Sequence, residues 1–89
     1  MKAIVTVVGR DQVGIIASVC TLLAEHQVNV LDISQTILEE FFTMTMLVDV
    51  SKINVSYANL AGALTGLGEE RGLSIRIQRE DIFNAMHQI

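Results

Sequence analysis

The chain has 89 residues, 51% of them hydrophobic and only 18% charged, and no proline; this describes one packed domain spanning residues 1–89 and excludes a disordered or linker-rich protein. Ten acidic against six basic residues leave a net charge of −4, the wrong sign for tracking phosphate backbones, so no direct nucleic-acid binding is expected. Ser18, Thr21, Glu25 and His26 break the longest apolar stretch before it reaches the roughly 18 residues of a spanning helix, so no membrane partner is expected either. The start of the chain carries no signal-peptide pattern, and its single cysteine cannot close an internal disulfide; both point to the cytoplasm.

Residues 3–8, Ala-Ile-Val-Thr-Val-Val, form a β-branched run ending at Gly9 and read as a buried strand. From Val13 to about Val28, Val13, Ile16, Ala17, Cys20, Leu23 and Ala24 recur at helical spacing around a narrow polar stripe of Ser18, Thr21 and Glu25, which predicts a helix buried over most of its circumference. Beyond Asn29, Leu31, Ile33 and Ile37 alternate with Asp32, Ser34 and Thr36, the period of a strand with one core face and one wet face. Glu39-Glu40 is a short polar connector, and Phe42, Met44, Met46, Val48 and Val50 then alternate as the second arm of an antiparallel hairpin. A second helix is predicted from about Ser56 to Arg71, capped by Asn54 or Ser56, packed through Tyr57, Leu60, Leu64 and Leu67, and ended by Gly72. Leu73, Ile75 and Ile77 make a fourth strand. Residues 81–86 are expected to form a short C-terminal helix, whose Ile82, Phe83 and Met86, with Ile89, would pack back on the domain or across to a partner.

The order strand, helix, strand, strand, helix, strand gives an α+β, ferredoxin-like βαββαβ sandwich when the crossovers are right-handed. Its first and third strands lie in the middle of an antiparallel sheet, with both helices on one face. The other face is left bare. Together with the high apolar fraction, this predicts a homodimer that hides surface such as Leu47 and the tail.

Chemistry concentrates between the first strand and first helix, in Val8-Gly9-Arg10-Asp11-Gln12-Val13-Gly14-Ile15. Asp11 is placed to cap the helix, Gly14 falls in its first turn without a β-carbon, and Gly9 offers a second point of close backbone approach. The free amides and positive dipole end suit a carboxylate, to which Arg10 adds charge. An amino acid would seat its carboxylate there and its ammonium on Asp11 or Asp32. A bulky residue at Gly14 would occlude this site at modest cost in stability. Capping by Asp11 and packing at Gly14 explain the same residues without any ligand.

The stretch Gly9-x-Asp11-x-x-Gly14-Ile15, then Ala17-x-Val19, and Val28-Asn29-Val30-Leu31-Asp32-Ile33-Ser34-Gln35-Thr36 resembles the ACT domain, a small regulatory ligand-binding module. It is most similar to the subgroup found in the glycine cleavage system transcriptional repressor and at the amino end of formyltetrahydrofolate deformylase. The tail from Ile82 to His87 looks like that of small stand-alone bacterial ACT proteins. The resemblance implies a non-catalytic domain that pairs with itself, binds amino acids or similar metabolites without a cofactor, and acts on a regulated protein. Carried over by position, the ligand residues are Gly9, Arg10, Asp11, Gln12, Val13, Gly14 and Ile15 in the loop, and Asn29, Val30, Leu31 and Asp32 at the second strand. Many relatives have proline where Val13 stands.

Two other readings stay open. One is a pure interaction module whose ligand site has decayed. The other is an acylphosphatase-like hydrolase of the same fold, suggested by the glycine- and arginine-bearing loop; Ile16-Ala17-Ser18 lacks the later arginine of that signature, and no asparagine-bearing turn follows the second strand. Cys20 reads as a small core hydrophobe, 240° around the helix from His26, and Met44 and Met46 as core filling. His26 and His87 read as surface residues without metal-ligand spacing, so no metal is expected. Gly62 and Gly66, opposite the Leu60/Leu64 face, fit either a close contact with a second subunit or a weak exposed helix.

Overall fold

A computed structural model describes residues 1–80; the C-terminal helix expected over 81–86 lies outside them. The elements are β1 (Lys2–Arg10), α1 (Ile15–Glu25), β2 (Asn29–Leu38), β3 (Phe41–Asp49), α2 (Tyr57–Arg71) and β4 (Ser74–Arg79). The sheet order is β2-β3-β1-β4, antiparallel throughout. The ferredoxin-like arrangement and the central places of β1 and β3 are therefore as the sequence predicts.

Period-two patterning builds the core. Ala3, Val5 and Val7 of β1 lie opposite Val48, Met46 and Met44 of β3, and all six are fully buried. Residues directly opposite share a face, so Ile75 of β4, opposite Val7, and Phe42, opposite Gly9, join the same layer. Onto it pack Ile15, Val19 and Leu23 of α1, and Leu60, Leu64 and Gly68 of α2. Met44 and Met46 are core filling. Cys20 is half-buried against the same cluster.

Helix α2 begins as expected: the Asn59 amide donates to Ser56 Oγ at 3.1 Å. It ends at Gly72, whose φ of +71° suits a glycine C-cap. Helix α1 departs from expectation at its start. Val13 is 98% exposed and precedes the helix, and Gly14, with φ +87°, is the N-cap. Asp11 does not cap; among the described residues α1 has no side-chain cap, and the Asp11 amide instead donates to the Glu40 carbonyl at 2.8 Å. The reason is conformational: a left-handed residue at position 14 cannot be part of a helical turn, so the helix starts after it. At the far end, His26 Nδ1 lies 2.8 Å from the Leu22 carbonyl, so this half-buried histidine closes the helix rather than sitting free on the surface.

Strand β2 departs in its packing. A bulge falls between Val30 and Asp32, and beyond it Ile33, Gln35 and Ile37 lie opposite Met46, Met44 and Phe42, on the helix side of the sheet. Yet every residue from Leu31 to Leu38 is exposed. The alternation is real, but among the described residues neither helix reaches over this edge strand, and its expected core face is open.

The glycines of α2 divide sharply. A Cβ on Gly68 would stand 2.6 Å from the Leu73 carbonyl oxygen, whereas Cβ atoms on Gly62 or Gly66 would meet nothing within 4 Å. Gly68→Ala should therefore destabilise the domain by about 1–3 kcal/mol through overpacking. Gly62→Ala or Gly66→Ala should stabilise it by about 0.5–1 kcal/mol through helix propensity. Urea denaturation midpoints at constant m-value check both signs.

Candidate functional site

The β1–α1 loop is held from two sides. Its Asp11 amide is bonded to the β2–β3 turn at Glu40, and Gln12 Nε2 donates to the Arg71 carbonyl, at the end of α2, at 3.0 Å. Arg10 ends β1 and pairs with Glu40 at 3.7 Å, both side chains well exposed; such a surface pair contributes about 0–1 kcal/mol. Gly9 serves packing: a Cβ there would lie 2.5 Å from Leu73 Cδ2. The tight space at position 9 therefore comes from the α2–β4 connection, through the movable end of the Leu73 side chain.

Gly14 opens the start of α1. The first intrahelical bond is Ser18 N–H to the Gly14 carbonyl at 2.9 Å, so the amides of Ile15, Ile16 and Ala17 have no carbonyl of their own helix to meet. Without a side-chain cap, these donors and the helix dipole are available to an acceptor. Arg71 Nη1 lies 3.7 Å from where a Gly14 Cβ would be, adding positive charge nearby.

Beside this helix start is a groove of 510 Å³. One wall is Asp11, Gln12, Gly14 and the first turn of α1, Ile15 to Ala17; the other is Gln35 and Ile37 of β2, with the buried Phe42 between them. Of the predicted loop residues, Asp11, Gln12, Gly14 and Ile15 line it. Gly9, Arg10 and Val13 do not. Ile16, Ala17, Gln35, Ile37 and Phe42 are additions that the sequence reading missed, although the alternation that places Ile33 and Ile37 on one face places Gln35 there as well.

The second predicted group lies elsewhere. Asn29 is opposite Asp49, which is opposite Lys2, whereas Arg10 is opposite Phe41. Eight residues of strand separate the two ends, about 27 Å. Asn29 lines a smaller cavity of 250 Å³ with Gln27, Asp49, Ser51 and Lys52. There, hydrogen bonds from Ser51, with the Met1 amino group and Lys2 nearby, hold the Asp49 carboxyl below its ordinary pKa. Val30 is half-buried, Leu31 sits exposed at the bulge, and Asp32 Oδ1 accepts from the Ile33 amide at 3.0 Å. One chain alone does not bring Asn29–Asp32 to the loop.

The profile of the ACT domain matches residues 2–78. The chain belongs to the ACT domain family. A UPF0237 protein of Bifidobacterium longum is 54% identical over 88 residues, 99% of this chain and 98% of that one. The ACT domain protein from Streptococcus pneumoniae superimposes with a TM-score of 0.81 at 41% identity, over 93% of each chain. A putative glycine cleavage system transcriptional repressor gives 0.72 at 26% identity, over 88% of this chain and 44% of that one. The formyltetrahydrofolate deformylase of Pseudomonas syringae pv. tomato gives 0.79 at 23%, over 88% and 27%, and shares the fold alone. ACT domains are commonly regulatory and ligand-binding. In this ACT domain no helix among the described residues is long and apolar enough to cross a membrane.

The geometry changes what substitutions in the loop should do. Gly14→Val forces a β-branched residue to φ +87°, so it should cost about 2 kcal/mol or more rather than the modest amount expected from the sequence. Asp11→Asn, at an exposed residue that caps nothing, should change stability by less than about 0.5 kcal/mol. Thermal and chemical denaturation of the two variants beside the wild type measure this contrast.

Proposed function

We propose that this ACT domain is a regulatory, non-catalytic module that binds an amino acid or similar small metabolite at the β1–α1 loop and works as a homodimer. The observation that carries the reading is the open groove at an uncapped helix start. Free amides of Ile15, Ile16 and Ala17 suit a carboxylate, and the Asp11 carboxylate in the same lining suits an ammonium group. An α-amino acid carries both complementary charges on one carbon.

The dimer reading draws on β2. It is a ten-residue edge strand, exposed on both faces beyond its bulge, and such an edge is a template for pairing. Two copies joined antiparallel about a two-fold axis near the middle of β2 place Asn29–Asp32 of one subunit beside the loop of the other. That pairing joins the two groups that a single chain holds about 27 Å apart. Ligand held between subunits would then favour the paired state, and a regulated protein that distinguishes the paired from the unpaired surface would read its occupancy.

A melting screen across the amino acids and common nucleotides tests this reading. Binding at one hundred times Kd should stabilise by about 2.7 kcal/mol, or roughly 10–20 °C for a domain of this size. Asp11→Asn should weaken an amine-bearing ligand about tenfold or more. Sedimentation at tens of micromolar should give the mass of a dimer. A flat screen, or a monomer throughout, would refute the corresponding half.

A further inference from the structure

We infer that the groove selects amino acids whose side chains are apolar and have three or more carbons. This deepens, and rests on, the reading that the loop takes an amino acid; what it adds comes from the groove's far wall. Ile37 is 54% exposed and Ile16 is 38% exposed. Ile37 stands opposite Phe42 on the helix side of the sheet, where apolar residues elsewhere in this fold are covered. Ile16 faces it from the first turn of α1 across the same groove. Both side chains are partly open to solvent, and the buried Phe42 lines the same groove.

Charge argues the same way. Asp11 is the one ionisable side chain among the described residues lining the groove, and the ligand's ammonium group occupies it. An acidic side chain on the ligand would meet no cation in this lining, because Arg10 is turned to Glu40 and Arg71 lies beside Gly14, at the carboxylate end. A basic side chain would meet no second carboxylate either: the Asp32 that a paired copy brings up stands opposite Leu47, on the sheet face away from the groove. Either would lose its hydration without a partner, which rejects it more strongly than an apolar wall attracts a hydrocarbon. Gln35 and Gln12 are the other polar side chains, and Gln12 is committed to the Arg71 carbonyl. At 510 Å³ the groove has room for a leucine- or phenylalanine-sized ligand.

Calorimetric titration of the whole chain with glycine, alanine, valine, leucine, methionine, phenylalanine, aspartate, glutamate, lysine and arginine decides the matter. Leucine, methionine or phenylalanine should bind at least tenfold tighter than alanine, and the four charged amino acids weaker than alanine. Ile37→Lys, on an exposed edge position that the fold does not need buried, should weaken leucine tenfold or more and improve glutamate, with melting temperature and sedimentation as controls on fold and assembly. Tight binding of charged or small amino acids would overturn this inference and leave the proposed function standing. Absence of binding by any amino acid would overturn the proposed function, and the inference with it. If Ile37→Lys leaves leucine affinity unchanged, or turns a dimer into a monomer without altering affinity per chain, the apolar wall is the seat of a second copy and the inference fails.

Discussion

The backbone of Leu73 comes closer to position 68 than any residue there other than glycine would permit. Its side chain stands where a Cβ of Gly9 would be, its carbonyl where a Cβ of Gly68 would be, and its amide donates to the Gly68 carbonyl at 2.7 Å. Three elements are thereby locked at one end of the sheet: β1 as it leaves the core, α2 as it ends, and β4 as it begins. The loop after β1 has little freedom left. It must pass the end of α2, where Gln12 bonds to Arg71, and the β2–β3 turn, where Asp11 bonds to Glu40. The position of Gly14, and so the direction in which α1 presents its first amides, follows from that confinement.

The groove is the product of a shortage. Among the described residues two helices cover four strands, and the sheet face they protect includes the buried runs of β1, β3 and β4 but not β2 beyond its bulge. An apolar flank left uncovered next to unpaired helix donors is a costly arrangement for a domain with one small core. Covering such a surface is favourable, whatever covers it. Regulation by occupancy needs such an unfinished surface, since a site already satisfied within the chain has no free energy to gain from binding.

Much of this was legible in the residues, for reasons that can be named. Alternation in residues 42–50 and helical spacing from Leu60 to Leu64 report local geometry, and local geometry does not depend on what lies far away in the chain. The N-cap of α1 was misread because Asp11 and Gly14 both satisfy a rule for helix starts, and only the backbone conformation at Gly14 decides between them. The exposure of Ile37 was hidden because alternation tells which residues share a face, not whether anything covers it. Gly9 looked like an opening for a ligand because its real neighbour, Leu73, is brought to it only by the completed sheet. The grouping of Asn29–Asp32 with the loop comes from resemblance, and the register of β2 on β3 and β1 keeps the two apart in a single chain.

The register of β1 bears on how the protein is made. This strand is the first element described and a central one of the sheet, with Ala3 paired to Val48 on one side and to Arg79 on the other. Neither edge can be satisfied locally: one waits for β3 and the other for the last strand described. Contacts so distant in sequence make folding slow compared with a helical bundle of equal size. During synthesis the run Ala-Ile-Val-Thr-Val-Val is therefore an apolar β-former with both edges open, the kind of segment that pairs with whatever strand it meets first. A chain of this topology gains its protection against misassembly only when β4 has left the ribosome.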